Sequence, residues 1–180
     1  MTTSDRSPPA IFPSVRGGPL LVLLGPVLAA GLSFAQPVLR LSGTEVSTSL
    51  SDHIALLRDP GRGLGIDDAR KATAWTPLPR ALSLGYTKDA VWLRFDIERG
   101  PEAPPEWLLA LGDATLDDVR LWQADTRGRL VEQRSGSDVP RGLRPVDDPS
   151  PVFRLFLQPG RQTIFVRIWT RSSLAARLDV

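Results

Sequence analysis

The sequence predicts an antiparallel β-sandwich, and three observations carry that expectation. Apolar and polar residues alternate strictly over short runs: Val91, Leu93, Phe95 and Ile97 interleave with Trp92, Arg94, Asp96 and Glu98. Side chains of a strand project to opposite faces in turn, so such a run is half-buried sheet. Turn-forming residues punctuate the chain: Asp59-Pro60-Gly61, Asp125-Thr126-Arg127-Gly128 and Gln158-Pro159-Gly160. Only one brief stretch has helical character. Several short strands, closely spaced turns and little helix together describe a two-layered antiparallel fold.

At 180 residues the chain has room for a leader and one domain large enough to bury a core. Residues 1–14 are polar, with Arg6 and Arg16 ahead of an apolar run over residues 19–32 that is interrupted by Gly25 and Pro26. That run falls short of the roughly 20 apolar residues of a membrane-spanning helix and fits a signal-peptide core. Ser33-Phe34-Ala35 supplies the small residues of a cleavage site, so we expect a signal peptide over residues 1–35 and a mature domain over residues 36–180.

Residues 37–52 read as an entry strand and a serine- and threonine-rich turn. Residues 53–58 form a short apolar strand ending at Asp59-Pro60-Gly61. Residues 66–74 make the helix, with Asp67 and Asp68 at its start and Arg70 and Lys71 further on, as the helix dipole favours. The central strand follows, then a proline-rich loop over residues 99–105. Residues 107–111, Trp-Leu-Leu-Ala-Leu, are apolar on both faces and predict an interior strand covered from both sides. Strands are expected over residues 117–123 and 129–134, joined by a hairpin turn, and over residues 152–157 and 163–170. Residues 135–151 form a long loop, and residues 172–180 begin one more strand.

In this order and spacing the pieces resemble a known family. Leu57-Arg58-Asp59-Pro60-Gly61, Leu64-Gly65-Ile66-Asp67-Asp68-Ala69, Trp75, Val91-Trp92-Leu93-Arg94-Phe95, residues 116–122 (Leu-Asp-Asp-Val-Arg-Leu-Trp) and Thr163-Ile164-Phe165-Val166-Arg167 are similar to the type-two periplasmic sensor domain of bacterial seven-transmembrane receptors with diverse intracellular signalling modules. The resemblance implies a jelly-roll-like β-sandwich and a non-catalytic, ligand-sensing role. It also implies seven downstream membrane helices and a cytoplasmic output such as a diguanylate cyclase or histidine kinase, which this chain does not include. The competing class is a free-standing periplasmic carbohydrate-binding or adhesion module. Apolar stretches of about 20 residues beyond Val180 would separate the two.

Catalytic signatures are missing. His53, the single histidine, has no ligand-type pattern around it; there is no cysteine, phosphate loop, zinc-protease helix or nucleophile elbow. Gly61-Arg62-Gly63-Leu64-Gly65 lacks the spacing of a dinucleotide loop and reads as a plain loop. Asp67-Asp68 reads as helix N-terminal charge and Asp117-Asp118 as a strand start, while Asp147-Asp148 lacks the dense carboxylates of a calcium loop. No cofactor and no metal are expected. The formal charge is only +2 and, apart from Lys71 and Lys88, the basic residues are scattered arginines, a poor footprint for nucleic acid.

The informative pattern is a face. With Val91, Leu93, Phe95, Val119, Leu121, Ile164, Val166 and Ile168 in the core, Trp92, Arg94, Arg120, Trp122, Phe165, Arg167 and Trp169 point the other way. Arginine offers planar multi-donor hydrogen bonding and indole a flat apolar platform, a pairing suited to a sugar or a small anion. We therefore expect Trp92, Arg94, Arg120, Trp122, Arg167 and Trp169 to bind a small periplasmic ligand, with residues 135–151 as the roof. The opposing expectation is that these arginines stack on their tryptophan neighbours beneath residues 37–80 and stabilise the sheet without a ligand.

Overall fold

Strand β5 (Ala90–Arg99) is the axis of the molecule. The structure, a computed structural model, describes residues 36–78 and 81–180, and the leader expected over residues 1–35 lies outside them. In chain order the other elements are β1 (Leu39–Leu41), β2 (Ala55–Asp59), α1 (Ile66–Lys71), β3 (Thr76–Pro77), β4 (Leu82–Tyr86), β6 (Glu106–Leu111), β7 (Asp118–Ala124), β8 (Leu130–Ser135), β9 (Val152–Phe156), β10 (Gly160–Trp169), β11 (Ser173–Ala176) and β12 (Leu178–Asp179).

Seven strands make one sheet in the order β3-β2-β5-β10-β7-β8, with β1 added beside β5. β10 lies antiparallel to β5 from Gly160 opposite Arg99 to Ile168 opposite Val91. β2 covers the other edge of β5 over residues 90–94, and β1 takes residues 97–99 of that edge as a parallel partner. That parallel pair is the exception in a mainly antiparallel fold. A three-stranded sheet, β12-β6-β9, and a two-stranded one, β11-β4, form the opposing layer. The last segment thus contributes two short strands. β4 had no counterpart in the sequence reading.

Between the layers lies the main core: Val91, Leu93, Phe95 and Ile97 of β5, Val119 and Leu121 of β7, and Ile164, Val166 and Ile168 of β10 meet Leu109, Leu111, Phe153, Leu155 and Leu174. All of these side chains are buried, as the alternation predicts. β6 departs from expectation. Trp107, Leu109 and Leu111 face the core, but Leu108 is 47% exposed, so one face of β6 meets solvent. Among the described residues no second layer lies behind the small sheet, and an apolar pair of faces in the sequence did not require one.

Gly136 anchors the loop after β8 to the start of β7. Its φ is +111°, and a Cβ there would stand 2.3 Å from the Asp117 carbonyl oxygen. Ser137 and Asp138 donate to the Leu116 and Asp117 carbonyls from the same turn. Gly136→Ala is expected to lower stability by about 2 kcal/mol or more, since backbone must move. Gly128→Ala is the control: its φ is +75° but the space around it is open. A cost of about 1 kcal/mol is expected there. Urea unfolding of the two variants checks the difference.

Candidate ligand site

The face of the large sheet turned away from the main core is built in rows. Arg120 of β7 stands opposite Arg167 of β10, which stands opposite Trp92 of β5, which stands opposite Leu57 of β2. The next row runs Trp122, Phe165, Arg94, Ala55. Trp92 and Trp122, two strands apart, lean across β10 and stack, with ring centroids 5.0 Å apart and planes 23° from parallel. With Leu57, Ala69 and Phe165 they form a second apolar cluster, against which Leu64, Ile66, Ala72 and Trp75 pack. Helix α1 and the chain around it therefore cover the centre of this face. Gly65 N–H is held by the Asp68 carboxylate at 2.9 Å, which sets the start of α1.

A cavity of about 190 Å³ lies under that cover, lined by Arg62, Leu64, Gly65, Ile66, Trp92, Arg120, Trp122 and Arg167. Four of the six candidate residues, Trp92, Arg120, Trp122 and Arg167, meet there. The other two do not. Arg94 stacks over Trp75 at 4.8 Å, and Trp169 stands between Arg62 at 5.2 Å and Arg171 at 5.5 Å. The roof is also a correction: it comes from residues 62–66, while residues 135–151 are absent from the lining. Asp59 builds this roof. Its carboxylate accepts from the Gly63 and Leu64 N–H groups at 3.1 Å, folding the turn back over the sheet. Arg62 takes a left-handed φ of +54° within that turn.

Like charges directly opposite each other on a sheet repel, so the Arg120–Arg167 pair needs an explanation. Asp118 provides it. Its buried carboxylate receives Arg120 Nε at 3.0 Å, an Arg134 Nη at 2.8 Å and an Arg167 Nη at 3.4 Å. Burial lowers the Arg167 pKa, and the neighbouring Arg120 cation adds to the effect. The side chain of Arg167 is only 12% exposed, and both its hydrogen bonds, to Asp118 and to the Arg62 carbonyl, are 3.4 Å long. It is a poorly satisfied, partly buried cation. The indole N–H of Trp92, fully buried, has no hydrogen-bond partner.

Asp117, next in sequence, anchors the rim. Burial pushes its carboxyl up, but donation from the Arg171 backbone and guanidinium and from the Thr170 and Ser137 hydroxyls overcomes this and holds its pKa at about 2. A depressed carboxyl pKa stabilises the fold fully above about pH 4 and loses that stabilisation as pH falls toward about 2. Because the Arg171 side chain is 61% exposed, solvent screening reduces the contribution to about 1–2 kcal/mol. The gap in unfolding free energy between the protein and Asp117→Asn should be present at about pH 5 and close by about that amount at pH 2. Sequence alone reads Asp117-Asp118 as a strand start and Arg62 as part of a plain loop, although an Asp-Asp pair separated by one residue from an outward arginine is a visible signal.

A second hollow of about 320 Å³ lies beside Val131 and Phe156 and is lined by Gln123, Ala124, Asp125, Thr126, Gln133 and Gln158 as well. Its amides are already engaged. Gln123 and Gln133 both donate to the Arg154 carbonyl, and their oxygens accept from the Phe156 and Arg154 N–H groups. Asp148 of the Asp147-Asp148 pair accepts from Ser150 N–H. Among the described residues no group of three or more His, Cys, Asp or Glu side chains is placed to hold a metal ion.

The sequence profile of the family described as 7TMR-DISM extracellular 2 matches residues 51–180, well over half of the chain. The chain belongs to that family. It is thereby an extracellular sensor domain of a receptor. In this 7TMR-DISM extracellular 2 domain the matched span holds every residue that lines the arginine cavity, while β1 lies ahead of it. No curated protein matches the chain. Among the described residues no helix is long and apolar enough to cross a membrane.

Proposed function

We propose that this domain is the non-catalytic, ligand-binding element of a bacterial signal-transduction receptor, and that its ligand is a small periplasmic molecule seated in the cavity over Trp92 and Trp122. The observation that carries the reading is the cavity itself: side chains from three neighbouring strands converge beneath a separate turn, and two arginines in it keep unused donors. A ligand touching both the sheet and residues 62–66 would tighten the turn against β5 and β10. That gives binding a route into strands that run the length of the sheet.

The leader over residues 1–35 would direct export, with cleavage near Ala35, so that the domain works on the periplasmic side of the inner membrane. In the full receptor, membrane helices would pass the signal to a diguanylate cyclase or histidine kinase. A carbohydrate would instead be drawn to the hollow at Phe156, a ring 50% exposed. The engaged amides there make it the weaker candidate.

Thermal unfolding with sugars, peptides and small organic acids tests the reading, because a ligand of the native state raises the midpoint in proportion to the logarithm of its excess over Kd. A saturable rise that Trp122→Ala abolishes supports it. A rise that only Phe156→Ala abolishes moves the site, and no rise with any class removes the ligand-binding role.

A further inference from the structure

The cavity over the stacked indoles has a chemical preference. Its lining contains three arginines and no carboxylate. Arg120 directs Nε at Asp118 and holds Glu132 only at 3.9 Å, while Arg62 has no ion pair among the described residues. Around them, the guanidiniums of Arg62, Arg120, Arg134 and Arg167 face the carboxylates of Asp59, Asp118 and Glu132, an excess of one positive charge. The neutral donor left over is the Trp92 N–H, fully buried and without a partner. Buried donors are nearly always satisfied, so this one, in the wall of an arginine-lined cavity, points to an acceptor that completes the site.

We propose that the cavity binds the carboxylate of a small organic acid, with Arg167 and Arg120 as the charged donors, Arg62 closing from the turn and the acid's apolar body against Trp122, Leu64 and Ile66. This deepens the ligand-binding reading and rests on it. The size fits a small acid: about 190 Å³ lies below the usual range for drug-sized ligands. The single excess charge favours a monoanion over a phosphate dianion. Guanidinium forks match the planar carboxylate with paired N–H donors.

Calorimetric titration of the full chain with lactate and benzoate, alongside lactamide, benzamide, inorganic phosphate and glucose, tests the proposal. Saturable binding of at least one carboxylate is expected, with its amide at least tenfold weaker and the affinity falling as salt rises. Arg167→Gln and Arg120→Gln should each weaken that carboxylate at least tenfold, and Arg161→Gln, on the far end of β10, should leave it unchanged. Trp92→Phe removes the indole N–H together with part of the ring while keeping an aromatic side chain and the charges, and a severalfold loss of affinity is expected there. Unfolding midpoints without ligand establish that each variant is folded.

Phosphate saturating the site where carboxylates fail would overturn the assignment. So would equal binding of acid and amide, or carboxylate binding indifferent to both arginine substitutions. Glucose binding that survives Arg167→Gln would defeat this inference while leaving the sensor reading intact. Failure of every probe would count against both.

Discussion

Trp92→Ala is expected to lower the unfolding free energy by about 3–5 kcal/mol, the range for removing a large aromatic from a well-packed interior. Trp92 lies on the nominally outer face of β5, yet it is fully buried, and it packs with Ala69 of the cover and with Leu57 and Trp122 of the sheet. Truncation removes both the transfer free energy of the ring and its stacking on Trp122, and it leaves a void that α1, only six residues long, would have to fill. For a domain whose total stability is about 5–15 kcal/mol, such a loss is a large share. Urea unfolding measures it. The stacked pair gives an independent reading, because the exciton signal of coupled indoles in circular dichroism should vanish in Trp92→Ala and in Trp122→Ala alike. A loss below about 1 kcal/mol would mean that the cover is not a packed layer.

Asp118→Ala is the second large effect, with an expected cost of about 3 kcal/mol. Removing one member of a buried ionic group leaves its partners uncompensated, which commonly costs about 3–5 kcal/mol. The lower end applies because Arg134 and Arg120 reach solvent, at 49% and 34% exposure, whereas Arg167 is only 12% exposed. Without the carboxylate, Arg120 and Arg167 face each other across adjacent strands with nothing between them to offset the repulsion. Added sulfate should restore part of the lost stability, and Asp118→Asn should cost less than Asp118→Ala because it retains a hydrogen-bond acceptor. A variant as stable as the parent, and indifferent to salt, would show that the arginine rows are held by packing alone.

Much of the architecture was legible from alternation. The inward residues of β5, β7 and β10 are those that the period of two assigns to the core, and the turns end or join strands as their residues dictate, at residues 59–61 between β2 and α1 and at residues 125–128 and 158–160 between strands. Leu108 shows where the pattern misleads. An apolar side chain records what a position tolerates, and nothing in its own strand says whether another layer will cover it. β4 and β3 were missed for a related reason: strands of five and two residues, paired over four and two positions, carry little periodicity.

The candidate site divides in the same way. Period two placed Trp92, Arg120, Trp122 and Arg167 on one face, and they share one cavity. What it could not tell was which of them remained open, because that depends on the chain segment that folds over the face. The turn held by Asp59 brings Arg62 across more than a hundred positions of sequence to the Arg167 side chain, and residues 135–151, expected to form the roof, go elsewhere with Gly136.

By itself, then, the order of residues determined which side chains share a face, because a strand's pleat turns every second residue the same way regardless of its partners. The folded molecule alone decided that Asp118 would gather three arginines, that Trp92 would be sealed under α1 while Arg167 kept weak partners, and that a cavity would survive between them. Those outcomes depend on long-range register and on which segment covers which strand, and both are set by packing free energies summed over the entire core.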